Sequence, residues 1–264
     1  MVKKYIPILL EAVYEASIEI LNIYKTDFNI YEKPDRTPVT LADQQSSEII
    51  LKHLKKTNIL AISEEAEIPD YTIRKNENLI WLVDPIDGTK EFIRKNGEFC
   101  ICIALIEAGK PVLGLIAQPT EGKILIGGDS IGAYYFDYHD AHPISEDNQL
   151  KPISINKNKT AIFSRSGLTI KGQALLEKIE NKWGTLDTIQ KGSALKFVDL
   201  SLNNADFYPR MAPTMEWDIA AGQAIYTSLG GEVIDFINFA PLNYNKENLY
   251  NPFFIAKNKD YQFE

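Results

Sequence analysis

Cysteine is nearly absent. The 264 residues carry two, Cys100 and Cys102, which excludes a small disulfide-stapled scaffold. Two positions apart on a strand they share a face and are poorly placed to bond each other, so they read as core packing in a reducing compartment. Histidine is scarce too: His53, His139 and His142 are too few and too scattered for a zinc site and read as solvated surface positions. Long apolar runs are missing. Lys3 and Lys4 precede an apolar stretch, but Glu11 breaks it after six residues, and Glu15 and Glu19 follow. A signal-peptide core needs roughly 7–15 apolar residues. No segment has the length of a membrane span. These absences predict no integral membrane segment and a cytoplasmic setting. There is no basic excess either: 28 Lys+Arg stand against 36 Asp+Glu, a formal charge of -8. A non-specific binder of nucleic acid needs a basic footprint, so a nucleic acid polymer is not an expected partner. A small anionic substrate remains compatible if metal ions or local basic groups reverse the field.

The rest of the composition is ordinary, with 45% hydrophobic and 24% charged residues. It excludes collagen-like and disordered chains and fits one large domain or two small ones. No internal repeat is visible. Leu9, Ala12, Val13, Ala16, Ile20 and Ile23 recur at helical spacing, predicting an amphipathic helix over 5–24 with its Glu11, Glu15 and Glu19 face solvated. A second helix is expected over 41–56. Strands are expected at 59–62, 79–83 ending at Asp84, 99–106, 112–118, 124–127 and 132–136. The polar stretch 139–159 divides the chain into halves, 1–145 and 146–264. Beyond it come a strand at 160–164, a helix at 170–182, a helix opened by Lys191-Gly192-Ser193, a strand at 205–208, and a helix over 218–229 stopped by Gly230-Gly231. This irregular alternation predicts a mixed α/β fold of stacked layers.

The most informative segment is Trp81-Leu82-Val83-Asp84-Pro85-Ile86-Asp87-Gly88-Thr89-Lys90-Glu91-Phe92. An apolar strand ends in one aspartate, Pro85 fixes the backbone, and a second aspartate follows three residues on. The amides after Gly88 would open a helix, a position that favours anions. Such a loop presents carboxylates to a cation and amides to a phosphate. Its plain alternative is a strand–turn–helix junction with Asp87 as cap. Three further acids stand at element ends: Glu64 in Ser63-Glu64-Glu65, Asp43 in Thr40-Leu41-Ala42-Asp43, and Asp218 in Glu216-Trp217-Asp218. Each alone reads as a solvated loop or a helix cap. Together they suit an oxygen-rich site for hard cations such as Mg²⁺.

These segments resemble the 3'(2'),5'-bisphosphate nucleotidases of the CysQ type, within the lithium-sensitive, Mg²⁺-dependent inositol monophosphatase superfamily. The superfamily signature is matched by Asp84-Pro85-Ile86-Asp87-Gly88-Thr89 and by Trp217-Asp218-x-Ala220-Ala221-Gly222. The narrower likeness rests on Gly88-Thr89-Lys90-Glu91-Phe92-Ile93, Asn96-Gly97-Glu98-Phe99, Tyr208-Pro209-Arg210 and Pro241-Leu242-Asn243-Tyr244. It runs from Thr37 to Pro252.

The resemblance implies a layered α/β/α/β/α sandwich of the inositol monophosphatase and fructose-1,6-bisphosphatase type. It implies a metal-binding catalytic half at 1–145 and a substrate-binding half at 146–264 that also supplies Asp218. Glu64, Asp84, Asp87, Asp218 and the carbonyl of Ile86 are the implied ligands of two or three Mg²⁺. Asp43 and Thr89 are the implied pair that orients and deprotonates the attacking water. Clustered carboxylates need cations to stay ionised together, and Thr89 needs Asp43 to accept a proton. Glu64, Asp87, Gly88, Thr89 and Asp218 are implied to touch substrate. So are Ser164, in the segment Ser164-Arg165-Ser166, and Gly192, Ser193, Lys196 and Arg210. Ser193 and its neighbouring amides would hold phosphate, and Lys196 and Arg210 would offset a second phosphate. Gly167 stands where the family usually continues with histidine. The expected reaction is hydrolysis of the 3'-phosphate of adenosine 3',5'-bisphosphate to AMP, or of its 5'-phosphosulfate analogue. An inositol or sugar phosphatase is the alternative, disfavoured by the Lys90-Glu91-Phe92 continuation. A non-catalytic metal- or nucleotide-binding protein is a third reading, disfavoured by the intact set of acids and Thr89.

Overall fold

The computed structural model describes residues 2–33, 37–165 and 167–262. Ser166, part of the predicted substrate segment, lies outside them. A 3-10 turn, Val2–Tyr5, runs into α1 (Ile6–Tyr24); then come β1 (Ile30–Glu32), β2 (Pro38–Thr40) and α2 (Leu41–Leu54). Next are β3 (Leu60–Ser63), α3 (Tyr71–Arg74), β4 (Leu79–Asp87) and α4 (Thr89–Ile93). Four strands follow: β5 (Cys100–Glu107), β6 (Lys110–Gln118), β7 (Lys123–Gly128) and β8 (Gly132–Asp137). The remainder is β9 (Lys159–Phe163), α5 (Ile170–Trp183), β10 (Leu186–Gln190), α6 (Leu195–Ser201), β11 (Phe207–Arg210), α7 (Glu216–Ser228), β12 (Gly231–Asp235) and β13 (Phe254–Asn258).

Two main sheets result, with strand orders β3-β4-β5-β6-β7-β8 and β10-β9-β11-β13-β12. In the first, β3 and β4 are parallel and every other pair is antiparallel. Side chains alternate across it, as strand geometry demands. Trp81, Val83, Ile101 and Ile103 join Leu9, Val13 and Ile50 of α1 and α2 in one core. Ile80, Leu82, Cys102 and Ala104 face the other way and pack with Phe197 of α6, Ala220 and Ala221 of α7 and Phe254 of the second sheet. The far face of that sheet meets α5 through Ala161, Ile255, Leu175 and Ile179. The stack is therefore α1/α2, six strands, α6/α7, five strands, α5: the expected α/β/α/β/α sandwich.

Four details differ from the sequence reading. β4 continues past Asp84 to Asp87, with a register shift against β5 between those two residues; Pro85 cannot donate a ladder bond, so the strand bulges there. The second helix stops at Leu54 and tightens into a 3-10 turn, Lys55–Thr57. β1, β2, α3, β10, β12 and β13 were not anticipated. His53 is not a surface residue: it is 7% exposed, its Nε2 2.7 Å from Glu15 Oε2, because α1 packs on α2. His139 and His142 are exposed, and both cysteines are buried and free. Among the described residues no helix is long and apolar enough to cross a membrane.

Candidate active site

The acids converge where β3, β4 and α7 end or begin. The Glu64 amide donates to the Val83 carbonyl at 3.1 Å, extending the β3–β4 pairing by one residue and setting Glu64 beside Asp84. Asp84 sits on the bulge of β4, where its Oδ1 accepts the Ile86 amide at 3.1 Å. Asp218, in the first turn of α7, accepts the Met215 amide at 2.8 Å and so closes that helix start. One carboxylate oxygen from each of Glu64, Asp84 and Asp218 lies within 4.8 Å of the other two. Asp87 is adjacent but engaged differently: its Oδ2 accepts the Ala194 amide at 2.5 Å, and an oxygen lies within 4.8 Å of both cysteine sulfurs. Gly88 turns the chain from β4 into α4 at φ +102°, a region L side chains avoid.

The electrostatics are those of crowded carboxylates. Burial, then the charges of Glu64, Asp87 and Asp218, holds the Asp84 carboxyl well above the usual range. Burial, then Asp87, does the same to Asp218. Burial lifts Asp87 to about 6 against the pull of Lys196. An all-oxygen, anionic donor set of this kind fits a hard divalent cation. One cation of the chain itself already reaches the cluster: Lys33 Nζ lies 2.7 Å from Glu64 Oε1 and also bonds Glu65. Burial opposes the Lys33 charge, but Glu64 and then Glu65 outweigh it and raise its pKa.

Beside the cluster stands the predicted pair. Asp43, 1% exposed, accepts the Thr40 amide at 2.8 Å and the Thr40 hydroxyl at 2.6 Å on Oδ2. Its Oδ1 accepts the Thr89 hydroxyl at 3.0 Å. Burial raises its pKa, and the bonds from Thr40 and Thr89 work against that rise. Thr89 Oγ1 is also 3.3 Å from the Ile86 carbonyl.

A cavity of about 360 Å³ opens next to Asp87 and Asp218, with Ser193, Lys196, Arg165 and Arg210 on its wall. The amides expected to be free for phosphate are engaged here. Gly192 N donates to Glu98 Oε2 at 2.8 Å and Ala194 N donates to Asp87. The connection between α4 and β5 brings Glu98 against this segment, which no local pattern around Gly192 foretells. Lys196 is 3% exposed; its ammonium bonds the carbonyls of Lys191, at 3.3 Å, and Ser193, and lies 5.2 Å from the Tyr208 ring centre. Burial depresses its pKa to about 8, with Asp87 pulling the other way. Arg210 donates to Ser164 Oγ and to the Pro213 carbonyl, while its buried Nε has no partner. A second cavity of about 270 Å³ shares Ser164 and Arg210 and is walled by Phe163, Leu168, Met211 and Gly167. Gly167 has φ +83°, so a histidine there would be strained by roughly 1–3 kcal/mol.

Glu98 and Arg165 stand in motifs that carry the family likeness, but the sequence assigns neither of them a role in the site. Glu98 accepts both Arg165 nitrogens Nε and Nη2 in a fork and the Gly192 amide as well. It thus ties together two parts of the cavity wall. Glu98→Ala is expected to raise KM for a phosphorylated substrate about tenfold, the equivalent of one charge-assisted bond, with kcat little changed. Steady-state kinetics check this; a fall confined to kcat would contradict it.

Residues 1–250 match the inositol monophosphatase family. The 3'(2'),5'-bisphosphate nucleotidase CysQ of Shigella flexneri is 34% identical over 86% of this chain and 87% of its own length. The protein of that name from Buchnera aphidicola is 37% identical over 81% of this chain and 78% of its own. The crystal structure of CysQ from Bacteroides thetaiotaomicron superposes with a TM-score of 0.85, at 35% identity and 96% coverage of each chain. The SuhB structure from Bartonella henselae, 20% identical, shares the fold with a TM-score of 0.76, covering 97% of this chain and 95% of its own. With its five layers, its acidic cluster at the strand ends and these relatives, the chain belongs to the inositol monophosphatase family.

Proposed function

We propose that this protein is a metal-dependent 3'(2'),5'-bisphosphate nucleotidase that hydrolyses the 3'-phosphate of adenosine 3',5'-bisphosphate to AMP and phosphate. The observation that carries the reading is the Thr89–Asp43 hydrogen bond, at 3.0 Å, next to an all-oxygen triad and a cavity lined by cations. Glu64, Asp84 and Asp218, with Asp87 and the Ile86 carbonyl alongside, would hold Mg²⁺. When bound, such ions polarise phosphate oxygens, acidify water and offset the charge of a leaving alkoxide. The chain's own residues do the rest. Thr89 Oγ orients a water and takes its proton while passing its own to Asp43 Oδ1. Thr40 holds the other Asp43 oxygen, so the acceptor does not rotate. The water oxygen bonds to phosphorus, the bond from phosphorus to the ribose oxygen breaks, that oxygen takes a proton from solvent water and leaves as the alcohol, and Asp43 then releases its proton to solvent.

Arg210 lines both cavities, so it is assigned the second phosphate. Phe163, Leu168 and Met211 offer the nucleoside an apolar wall. Lys196 steadies the segment 191–193 from below through its carbonyl bonds. The first half, 1–145, supplies most of the acids, and the second, 146–264, supplies Asp218 and most of the cavity wall, which Asp87, Lys90 and Arg94 of the first half complete. The free thiols Cys100 and Cys102 support a cytoplasmic setting.

Phosphate release from adenosine 3',5'-bisphosphate, 3'-AMP and inositol-1-phosphate, with and without Mg²⁺, tests the reading. Metal-dependent turnover with the bisphosphate preferred is expected. Equal turnover of inositol-1-phosphate would replace it with the broader phosphatase reading. Arg210→Ala is expected to cost about 10–100-fold in kcat/KM for the bisphosphate and far less for 3'-AMP, since a desolvated charged contact contributes roughly 1.5–3 kcal/mol. An unchanged ratio between the two substrates would remove Arg210 from that role.

A further inference from the structure

The register of β5 against β4 pairs Asp84 with Cys102 and Asp87 with Cys100, so both thiols stand directly behind the acidic loop. Both side chains are on the face of β5 that points to the middle of the sandwich. Their sulfurs are 3.8 Å apart. An ion with bonds of about 2.3 Å to two sulfurs at the tetrahedral angle sets those sulfurs about 3.8 Å apart, as in zinc sites. The thiol pair is therefore already spaced for such an ion. One oxygen of Asp87 lies within 4.8 Å of both sulfurs, supplying a third donor. The route from solvent is short. Asp87 and Ser193 line the larger cavity, and Cys100 Sγ is 3.5 Å from Ser193 Oγ.

We propose that Cys100, Cys102 and Asp87 form an inhibitory site for a thiophilic divalent cation of the zinc and cadmium class. The chemistry separates this site from the oxygen triad: Mg²⁺ avoids thiolates, whereas Zn²⁺ and Cd²⁺ prefer them. Binding replaces two S–H bonds by two metal–sulfur bonds, and the two protons leave to solvent without any change of oxidation state. The ion draws the Asp87 carboxylate toward β5. That breaks its bond to the Ala194 amide and removes it from the oxygen cluster it borders. Loss of turnover follows; Asp87 is the one donor the two sites share, so added Mg²⁺ opposes the inhibition only through that carboxylate and not at the two sulfurs. The inhibition rests on the nucleotidase reading; the metal site does not.

The test titrates Cd²⁺ into the intact protein in the presence of Mg²⁺ and reads the ultraviolet charge-transfer absorption of a cadmium thiolate. The expected result is absorption that saturates at one Cd²⁺ per chain, with nucleotidase activity falling in step. In Cys100→Ser/Cys102→Ser the absorption is lost, Mg²⁺-dependent turnover is retained, and inhibition needs at least about tenfold more Cd²⁺. Wild-type protein that shows no thiolate absorption at one equivalent overturns the site, whether or not the double variant folds. A folded double variant with wild-type cadmium sensitivity overturns the inhibitory role. Because the absorption needs no turnover, saturation in a protein that fails to hydrolyse the bisphosphate supports the metal site and counts against the nucleotidase reading alone.

Discussion

Asp84→Asn is expected to lower kcat/KM by at least about a hundredfold while stabilising the metal-free protein. Asparagine matches the shape of aspartate and still accepts the Ile86 amide, so the bulge of β4 stays intact. What disappears is a charge from the triad of Glu64, Asp84 and Asp218. Changing a residue that merely supports a metal ligand costs about 10–100-fold, and a ligand should cost at least the top of that range. Asp218→Asn should behave alike. The stability effect has the opposite sign. Burial and the neighbouring acids hold the Asp84 carboxyl well above its ordinary value, so the folded chain binds that proton more tightly than the unfolded chain. Stability then falls as pH rises above the ordinary aspartate pKa of about 3.9. Asp87, lifted to about 6, adds to the same loss as pH climbs through that value. Thermal melts in chelator from about pH 4 to 8 should show a declining Tm for wild type and a shallower decline for Asp84→Asn. Near-normal turnover, or an identical pH slope, would sink the assignment.

The same crowding explains why this part of the site was legible in the sequence. An acid at the end of an apolar strand or in the first turn of a helix is cheap to recognise, because local geometry fixes where it points. Asp84, Asp87, Asp218 and Asp43 all sit in such places. Helices α1 and α5 were legible for a similar reason: one apolar face repeats along each. The strands that escaped notice lack that signal. β10 exposes four of its five residues and β1 all three, so neither shows alternation. β13 is buried on both faces, yet its sequence, Phe254-Ile255-Ala256-Lys257-Asn258, ends in polar residues. The structure accommodates one of them by pairing Lys257 with Glu232 of the adjacent β12 at 2.7 Å. β12 itself opens with Gly231, half of a glycine pair whose evident role is to stop α7.

Long-range pairing hid the rest of the site. Lys33 earns its place by reaching Glu64 and Glu65, and Glu98 by reaching Arg165 and Gly192. Neither lysine nor glutamate carries a local mark of such a partner, and most charged residues on a soluble chain are solvated. The Gly192–Ala194 amides show the converse error. A glycine-serine turn before a helix suggests open donors, but Glu98 and Asp87 fill two of them from elsewhere in the chain. His53 failed in the same way, since Glu15 lies on a different helix.

Thr89→Ala should reduce kcat by roughly 10²–10⁴-fold, the contribution of a positioned proton acceptor, while leaving the Mg²⁺ dependence nearly unchanged. The separation follows from the geometry. Thr89 gives its hydroxyl hydrogen bond to Asp43 and adds no charge to the acid cluster of Glu64, Asp84 and Asp218. Alanine is tolerated at the first position of α4, which the Gly88 turn initiates, so the fold gives no reason for a general loss. The acid limb of the pH profile supplies a second readout. Asp43 must be ionised to accept a proton, and burial already raises its pKa while the bonds from Thr40 and Thr89 oppose the rise. Removing the Thr89 hydroxyl deletes one of those opposing bonds. The limb, which marks the loss of activity as pH falls, should therefore move to higher pH in Thr89→Ala. Thr89→Ser restores the hydroxyl, so it should recover most of the turnover and return the limb to its wild-type position. A loss below about threefold in Thr89→Ala, or a serine variant no better than alanine, would separate Thr89 from the proton path and leave Asp43 as a helix cap alone.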